Sequence, residues 1–295
     1  MREREVPTPD GGKLALYSYG SVDAPGERRV VLIGGAFLTA LIYRPFSMAL
    51  SKGLGEGWAV DVYDRRGRGS SSELPANYSM DTEIADVRSI LDATGARNLL
   101  GHSLGGSVAL NAVQEFAGTS YEPDKLAVYD AAVNIDGSMD TGWLDGFAQS
   151  VDSGNVGRAM ARMKRGMQPG TALARIPEPI LAGLMALVSR TKVNKVLRGL
   201  MPTGVAELKA AYDEAAHPRD FSVLPGARDS SWVAKAPNTT RSPQSGYTQP
   251  SREARWCIAE RLPRIHSCRG QGTRDGHFQL FQGLTEPRGS VRLEA

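Results

Sequence analysis

Between two apolar runs lies the stretch Gly101-His102-Ser103-Leu104-Gly105-Gly106. A serine hydroxyl is a weak nucleophile alone. It becomes effective when a base takes its proton and fixed donors receive the charge that develops on an attacked carbonyl oxygen. The residues up to Leu100 read as the end of a strand, and Ser107 to Phe116 reads as a helix. A strand-to-helix turn this tight strains its apex, needs small neighbours, and lifts the apical side chain above the sheet edge. Ser103 is therefore the candidate nucleophile for acyl chemistry. The Leu104 amide opens the helix, where N–H groups lack internal partners and the dipole favours negative charge, so it is a candidate oxyanion donor. His102 adjoins Ser103 in sequence and points elsewhere, which fits packing rather than the role of base.

A second donor should come from the loop after an earlier strand. Ile33 to Thr39 (IGGAFLT) has that place, and its Gly34-Gly35 pair lets backbone approach the serine closely. The Ala36 amide is the preferred donor, ahead of Phe37. The loop from Asp64 to Ser72 carries Arg65, Arg66 and Arg68. These arginines can bind a substrate carboxylate or anchor the loop, and anchoring is the preferred reading.

The elements that would hold these groups follow from periodicity. Val6 to Tyr19 reads as a hairpin around Asp10-Gly11-Gly12. Val30 to Ile33, Trp58 to Tyr63, Leu99-Leu100 and Leu126 to Tyr129 read as strands, and Tyr43 to Ser51 as a helix. Met80 to Thr94 spaces Ile84, Val87, Ile90 and Leu91 as a helix does, with Asp81 as its expected cap. Alternating strands and helices predict a mainly parallel sheet flanked by helices. After Asp140 the pattern changes. LDGFAQSV, VGRAMARMKRGM, EPILAGLMALVSRT and GVAELKAAYDEAA read as helices, interrupted at RIPEPI. A helical block inserted after a strand predicts a cap, with its methionines packing the cap interior. The expected units are 1–137 (first part of the core), 138–216 (helical cap) and 217–295 (remainder of the core).

IGGAF, YDRRGRGSS (Tyr63 to Ser71), the helix MDTEIADVRSILDATG, GHSLGG and the strand LAVYD occur in this order over about residues 1 to 135. In this the chain resembles the α/β-hydrolase superfamily, and the helical block falls where that family inserts a cap. The resemblance implies an eight-stranded sheet, a Ser–acid–His triad and hydrolysis through an acyl-enzyme. Gly34 replaces the histidine common in the family's HG motif, a departure of little weight because the oxyanion loop works through its backbone. Asp130, directly after LAVY, resembles the acid position of members that carry it after the sixth strand, haloalkane dehalogenases among them. Those enzymes use an aspartate nucleophile, so no dehalogenase activity is inferred. Asp136 and Asp140 are fallbacks.

The family's histidine follows the last strand, commonly as Gly-His. Of His266 and His277, only His277 follows glycine, so it is the expected base. The approach to it is irregular. Val223 to Ser251 is rich in Pro, Ser, Thr and Arg, and no run in it reads as a buried central strand or as ordered structure. From Val223 onward there are 11 Lys and Arg against 6 Asp and Glu, and ten of the eleven are Arg. A shifted reading frame after about Phe221 accounts for both features. The last base of each codon, read with the next two, turns Trp232–Val233 into glycine and permits leucines before it. The same frame permits Gly-His across 271–273. Two alternatives follow: a serine hydrolase with His277 as base, or a hydrolase-fold chain impaired in catalysis, as a binding or scaffold relic or a frameshifted product.

The remaining composition bounds the partners. The 295 residues carry a net charge of +3, too little to argue for nucleic acid. No apolar run approaches the roughly 20 residues a membrane span needs, and the N-terminus lacks an apolar signal region. A cytoplasmic chain is expected. Cys257 and Cys268 show no zinc-like spacing with the four histidines and read as incidental thiols. No metal or cofactor is expected. The expected substrate is a small or medium apolar ester, amide or related acyl compound.

Overall fold

The computed structural model describes residues 1–133 and 140–216, together with the strands 232–234 and 257–259. The chain opens with a hairpin of β1 (Arg2–Pro7) and β2 (Lys13–Gly20), paired antiparallel with Val6 opposite Leu14. Asp10 closes the turn by accepting from Thr8 Oγ1 at 2.6 Å. Then follow β3 (Arg29–Ile33), α1 (Arg44–Leu54), β4 (Ala59–Tyr63), α2 (Met80–Thr94), β5 (Asn98–His102), α3 (Leu104–Glu115) and β6 (Lys125–Tyr129). The sheet order is β1-β2-β4-β3-β5-β6-β7-β8, where β7 is Trp232–Ala234 and β8 is Cys257–Ala259.

The central strands β3, β4, β5 and β6 are parallel to one another. A parallel strand covered on both faces must be apolar throughout, which is why Val30 to Ile33 does not alternate. Val31 and Ile33 face α2 and α3, in a core with Val87, Ile90, Leu99 and Val108. Val30 and Leu32 face α1, in a second core with Leu50, Val60 and Leu100. Fully burying one such side chain contributes about 1.5–3 kcal/mol. Both layers therefore hold the strand ends rigidly where a site can be built.

The structure corrects two expectations. Helix α2 is capped by Ser79, whose amide donates to Thr82 Oγ1 at 3.3 Å, and Asp81 instead lies in the first turn. There its charge complements the dipole. In the stretch that showed no run for a central strand, β7 pairs parallel to β6, with Val233 opposite Ala127. β8 pairs antiparallel to β7. At three residues each, these strands are too short to show an apolar period.

Residues 141–216 form the helices α4 (Leu144–Asp152), α5 (Val156–Met167), α6 (Glu178–Val188), α7 (Lys192–Gly199) and α8 (Met201–Ala216). α5 is capped by Asn155, which accepts the Arg158 amide at 3.1 Å. The break at RIPEPI separates α5 from α6, and α6 begins with Pro179 in its first turn, where a missing N–H costs nothing. α7 was not read from the sequence, although Val193, Val196, Leu197 and Leu200 have helical spacing. Among the described residues no helix is long and apolar enough to cross a membrane.

Candidate active site

Ser103 stands between β5 and α3 with φ 54° and ψ −125°, a conformation that glycine adopts freely and other residues only under strain. The surroundings hold it there. Its amide donates to Tyr129 O at 2.9 Å, and its carbonyl accepts from Gly106 N at 2.8 Å and Ala132 N at 3.1 Å. A Cβ on Gly105 would collide with the Ile33 carbonyl oxygen, so only glycine lets α3 start this close to β3. A Cβ on Gly35 would lie 3.1 Å from Ser103 Cβ, which fixes how near the 34–39 loop comes to the serine. Ser103 is half-buried, and no described residue takes up its hydroxyl.

Strain is concentrated here. Among the described residues, the non-glycine residues with positive φ are Phe37 (60°), Ser103 (54°) and Asp130 (53°). They lie just past the C-terminal ends of β3, β5 and β6, which neighbour one another in the sheet. Each such residue costs about 1–3 kcal/mol and persists only where its surroundings over-determine it.

The 34–39 loop presents a definite set of amides. The Gly35 N–H is taken by the Tyr43 hydroxyl at 2.7 Å. The Ala36 and Leu104 amides have no acceptor among the described residues, so both are available to a ligand. Leu104 directly follows Ser103, and Ala36 follows Gly35, which lies against Ser103.

His102 is engaged elsewhere, as expected. Its Nδ1 is 2.7 Å from the Tyr43 hydroxyl, and its ring stacks on Tyr129 with centroids 5.5 Å apart. Burial lowers its pKa, opposed by the charge of Asp130. His102 lies opposite Tyr129 at the end of the β5–β6 register, and Ser103 and Asp130 are the next residues along the two strands. Asp130 is half-buried. The fallback Asp140 is exposed and accepts the Gly142 amide at 2.9 Å, a turn role. Asp136, His266 and His277 lie outside the described residues. His102 is the sole histidine within them.

The arginines of the 64–72 loop are structural. Arg66 pairs with Asp10 at 2.6 Å and Asp86 at 2.9 Å. Arg65 pairs with Glu83 at 2.8 Å and Glu207 at 2.6 Å, and Arg68 also pairs with Glu207. Burial raises the Asp86 carboxyl to about 6 against the pull of Arg66. Tyr43 and Glu207 were not foreseen. Tyr43 was read only as the start of a helix, and Glu207 is 142 residues from its partner Arg65, a separation no local pattern encodes.

A profile of the alpha/beta hydrolase family matches residues 30–267. The chain belongs to the alpha/beta hydrolase family. The match extends past residue 221, where the sequence pattern breaks. In structure, the chain is similar to an alpha/beta hydrolase from Sphaerobacter thermophilus, with TM-score 0.55 and 21% identity, covering 83% of this chain and 95% of that one. A bromoperoxidase from Bacillus anthracis gives TM-score 0.53 at 19% identity, covering 75% and 76%. The bottromycin epimerase BotH gives 0.54 at 18%, covering 79% and 80%. In sequence, the putative carbamate hydrolase RutD of Caulobacter segnis is 34% identical over 89 residues, 29% of this chain and 32% of that protein. The chain thus spans about a third of that relative's length. An epimerase and a bromoperoxidase share this hydrolase fold, so the reaction has to be argued from the site.

Proposed function

We propose that this hydrolase cleaves an ester or similar acyl bond through an acyl-enzyme formed on Ser103. The carrying observation is the strained φ of Ser103 at the start of α3, between two amides with no other described acceptor. In this reading Ser103 Oγ attacks the carbonyl carbon while His277 takes its proton. The carbonyl oxygen, now negative, is received by Ala36 N–H and Leu104 N–H. The tetrahedral adduct collapses, and His277 returns the proton to the leaving alcohol. Water then repeats the sequence and releases the acid. Asp130 fixes the imidazole tautomer and stabilises its cation.

The helical block serves as the cap over this site. In support, Phe147 of α4 meets Phe37 edge-on at 6.1 Å, and Gly204 of α8 lies against the same ring. The substrate is a small or medium apolar acyl compound, and the name of the RutD relative extends that class to carbamates. The test is turnover of a p-nitrophenyl ester together with labelling by a fluorophosphonate probe. Ser103→Ala should lower turnover by roughly 10⁴- to 10⁶-fold and abolish labelling. Equal labelling of the variant would refute the assignment.

A second reading is a hydrolase-fold chain impaired in catalysis by a shifted frame after about residue 221. It is motivated by the stretch from Asp229 to Trp232, where the alternative frame permits leucines that end in glycine at 232–233, at the start of β7 (Trp232–Ala234). The gene decides it: codons 272 and 273 must contain CAC or CAT across their boundary.

A further inference from the structure

We propose that Glu207 of α8 is a positioning residue for the oxyanion loop, acting through Arg68 and Arg65. The proposal rests on the hydrolase reading above and names a residue that reading does not use. The turn at issue is Gly35 to Leu38. Its middle residues are Ala36, whose amide is the proposed donor, and Phe37, held at φ 60°. Such a turn relaxes unless both ends are fixed.

One guanidinium fixes them. Arg68 Nη1 donates to Leu38 O at 2.8 Å and to Gly35 O at 3.3 Å, bridging the two ends of the turn. Arg65 Nη2 also donates to Gly35 O at 3.3 Å. The direction of the Ala36 amide thus depends on where these two guanidinium groups lie. Both are buried, with side chains 1% exposed, and two like charges this close need a countercharge. Of the two guanidinium groups, Glu83 pairs directly with that of Arg65, and it also accepts from the Tyr78 hydroxyl. Glu207, fully buried, contacts both, so its carboxylate sets their separation. Burial and the like charge of Arg65 push the Arg68 guanidinium down to about 9, opposed first by the nearby charge of Glu83.

The helix is registered on the core at the same place. Thr203 Oγ1 donates to Gly67 O at 3.2 Å, and Gly204 abuts the Phe37 ring. Residues 203, 204 and 207 lie on one face of α8, so a single helix face docks the block and tunes the turn.

The experiment compares wild type, Glu207→Gln, Glu207→Asp and Arg68→Met in the full chain. It measures kcat and KM on p-nitrophenyl acetate and hydrogen exchange of the Gly35 amide, which reads its bond to Tyr43. In Glu207→Gln, kcat should fall about 10- to 100-fold with KM within about 2-fold, because the donor is misaimed rather than lost. Gly35 should exchange at least about 10-fold faster than wild type while the β3 and β5 amides hold their rates. Glu207→Asp should recover part of kcat. Arg68→Met should reproduce the pattern, and it decides the matter if Glu207→Gln does not fold. Unchanged Gly35 exchange, or equal acceleration across β3 and β5, overturns the proposal, as does a loss confined to KM. If wild type neither turns over ester nor takes the fluorophosphonate, the hydrolase reading fails. The Gly35 exchange arm then decides the Glu207 coupling by itself.

Discussion

The two sides of the candidate site are built differently. On the serine side, the Ser103 backbone and the Gly35 amide are held by neighbours within a few residues or by the adjacent strand. Gly35 and Gly105 permit the close approach, Tyr129 O takes the Ser103 amide, and Tyr43 takes the Gly35 amide. On the proposed acid and base side, Asp130 has a φ of 53° just past the end of β6, and the proposed base, His277, lies more than a hundred residues further along. A turn between paired elements is specified by short-range sequence. A side chain delivered by a distant loop depends on every strand between.

The sharpest way to break this comparison is to remove the distant half. If His277 is the base, His277→Ala should lower p-nitrophenyl ester turnover by roughly 10⁴- to 10⁶-fold, as severely as loss of Ser103. Asp130→Asn keeps the backbone and removes the charge, and should cost up to about 10⁴-fold by favouring the wrong tautomer. Near-wild-type kcat in either variant would remove that residue from the triad and leave the serine side standing alone.

The same contrast explains what the sequence made legible. The strands β3 to β6, the flanking helices and the turn that carries Ser103 could be read because burial on both faces and the strand-to-helix turn leave strong local patterns. The anchoring role of Arg65, Arg66 and Arg68 could be weighed, but not their partners. Glu207 and Asp86 meet them only through the fold. Tyr43 hides because its hydroxyl matters and its helix position does not advertise that. β7 hides because a three-residue strand takes its identity from β6, not from its own composition.

The strain on the serine side gives a smaller effect, read as stability. At φ 54° and ψ −125° glycine is unstrained, so Ser103→Gly should raise stability by about 1–2 kcal/mol over wild type. Ser103→Ala should not. Urea midpoints with unchanged slopes check this. Equal midpoints for the two variants would mean that the turn is relaxed and the site not preorganised.

The smallest effect concerns His102, which links the two sides by lying against both Tyr43 and Asp130's strand. Tyr43 O accepts from Gly35 N–H and lies 2.7 Å from His102 Nδ1, which a neutral imidazole with its proton on Nε2 offers as an acceptor for the Tyr43 hydroxyl. Burial lowers the His102 pKa, so the folded chain resists a proton that the unfolded chain accepts. The unfolded state binds more protons as pH falls through about 6.5, so this contribution to stability is fully present above that value and is lost below it. The loss is at most about 1.4 kcal/mol per pH unit. His102→Asn keeps an acceptor near the Nδ1 position and cannot titrate. The stability advantage of wild type over His102→Asn should therefore be larger at pH 7.5 than at pH 5.5, with the other three histidines cancelling in the difference. A gap that stays constant or widens on acidification would show that His102 is not held neutral, and that Tyr43 holds the Gly35 amide without its help.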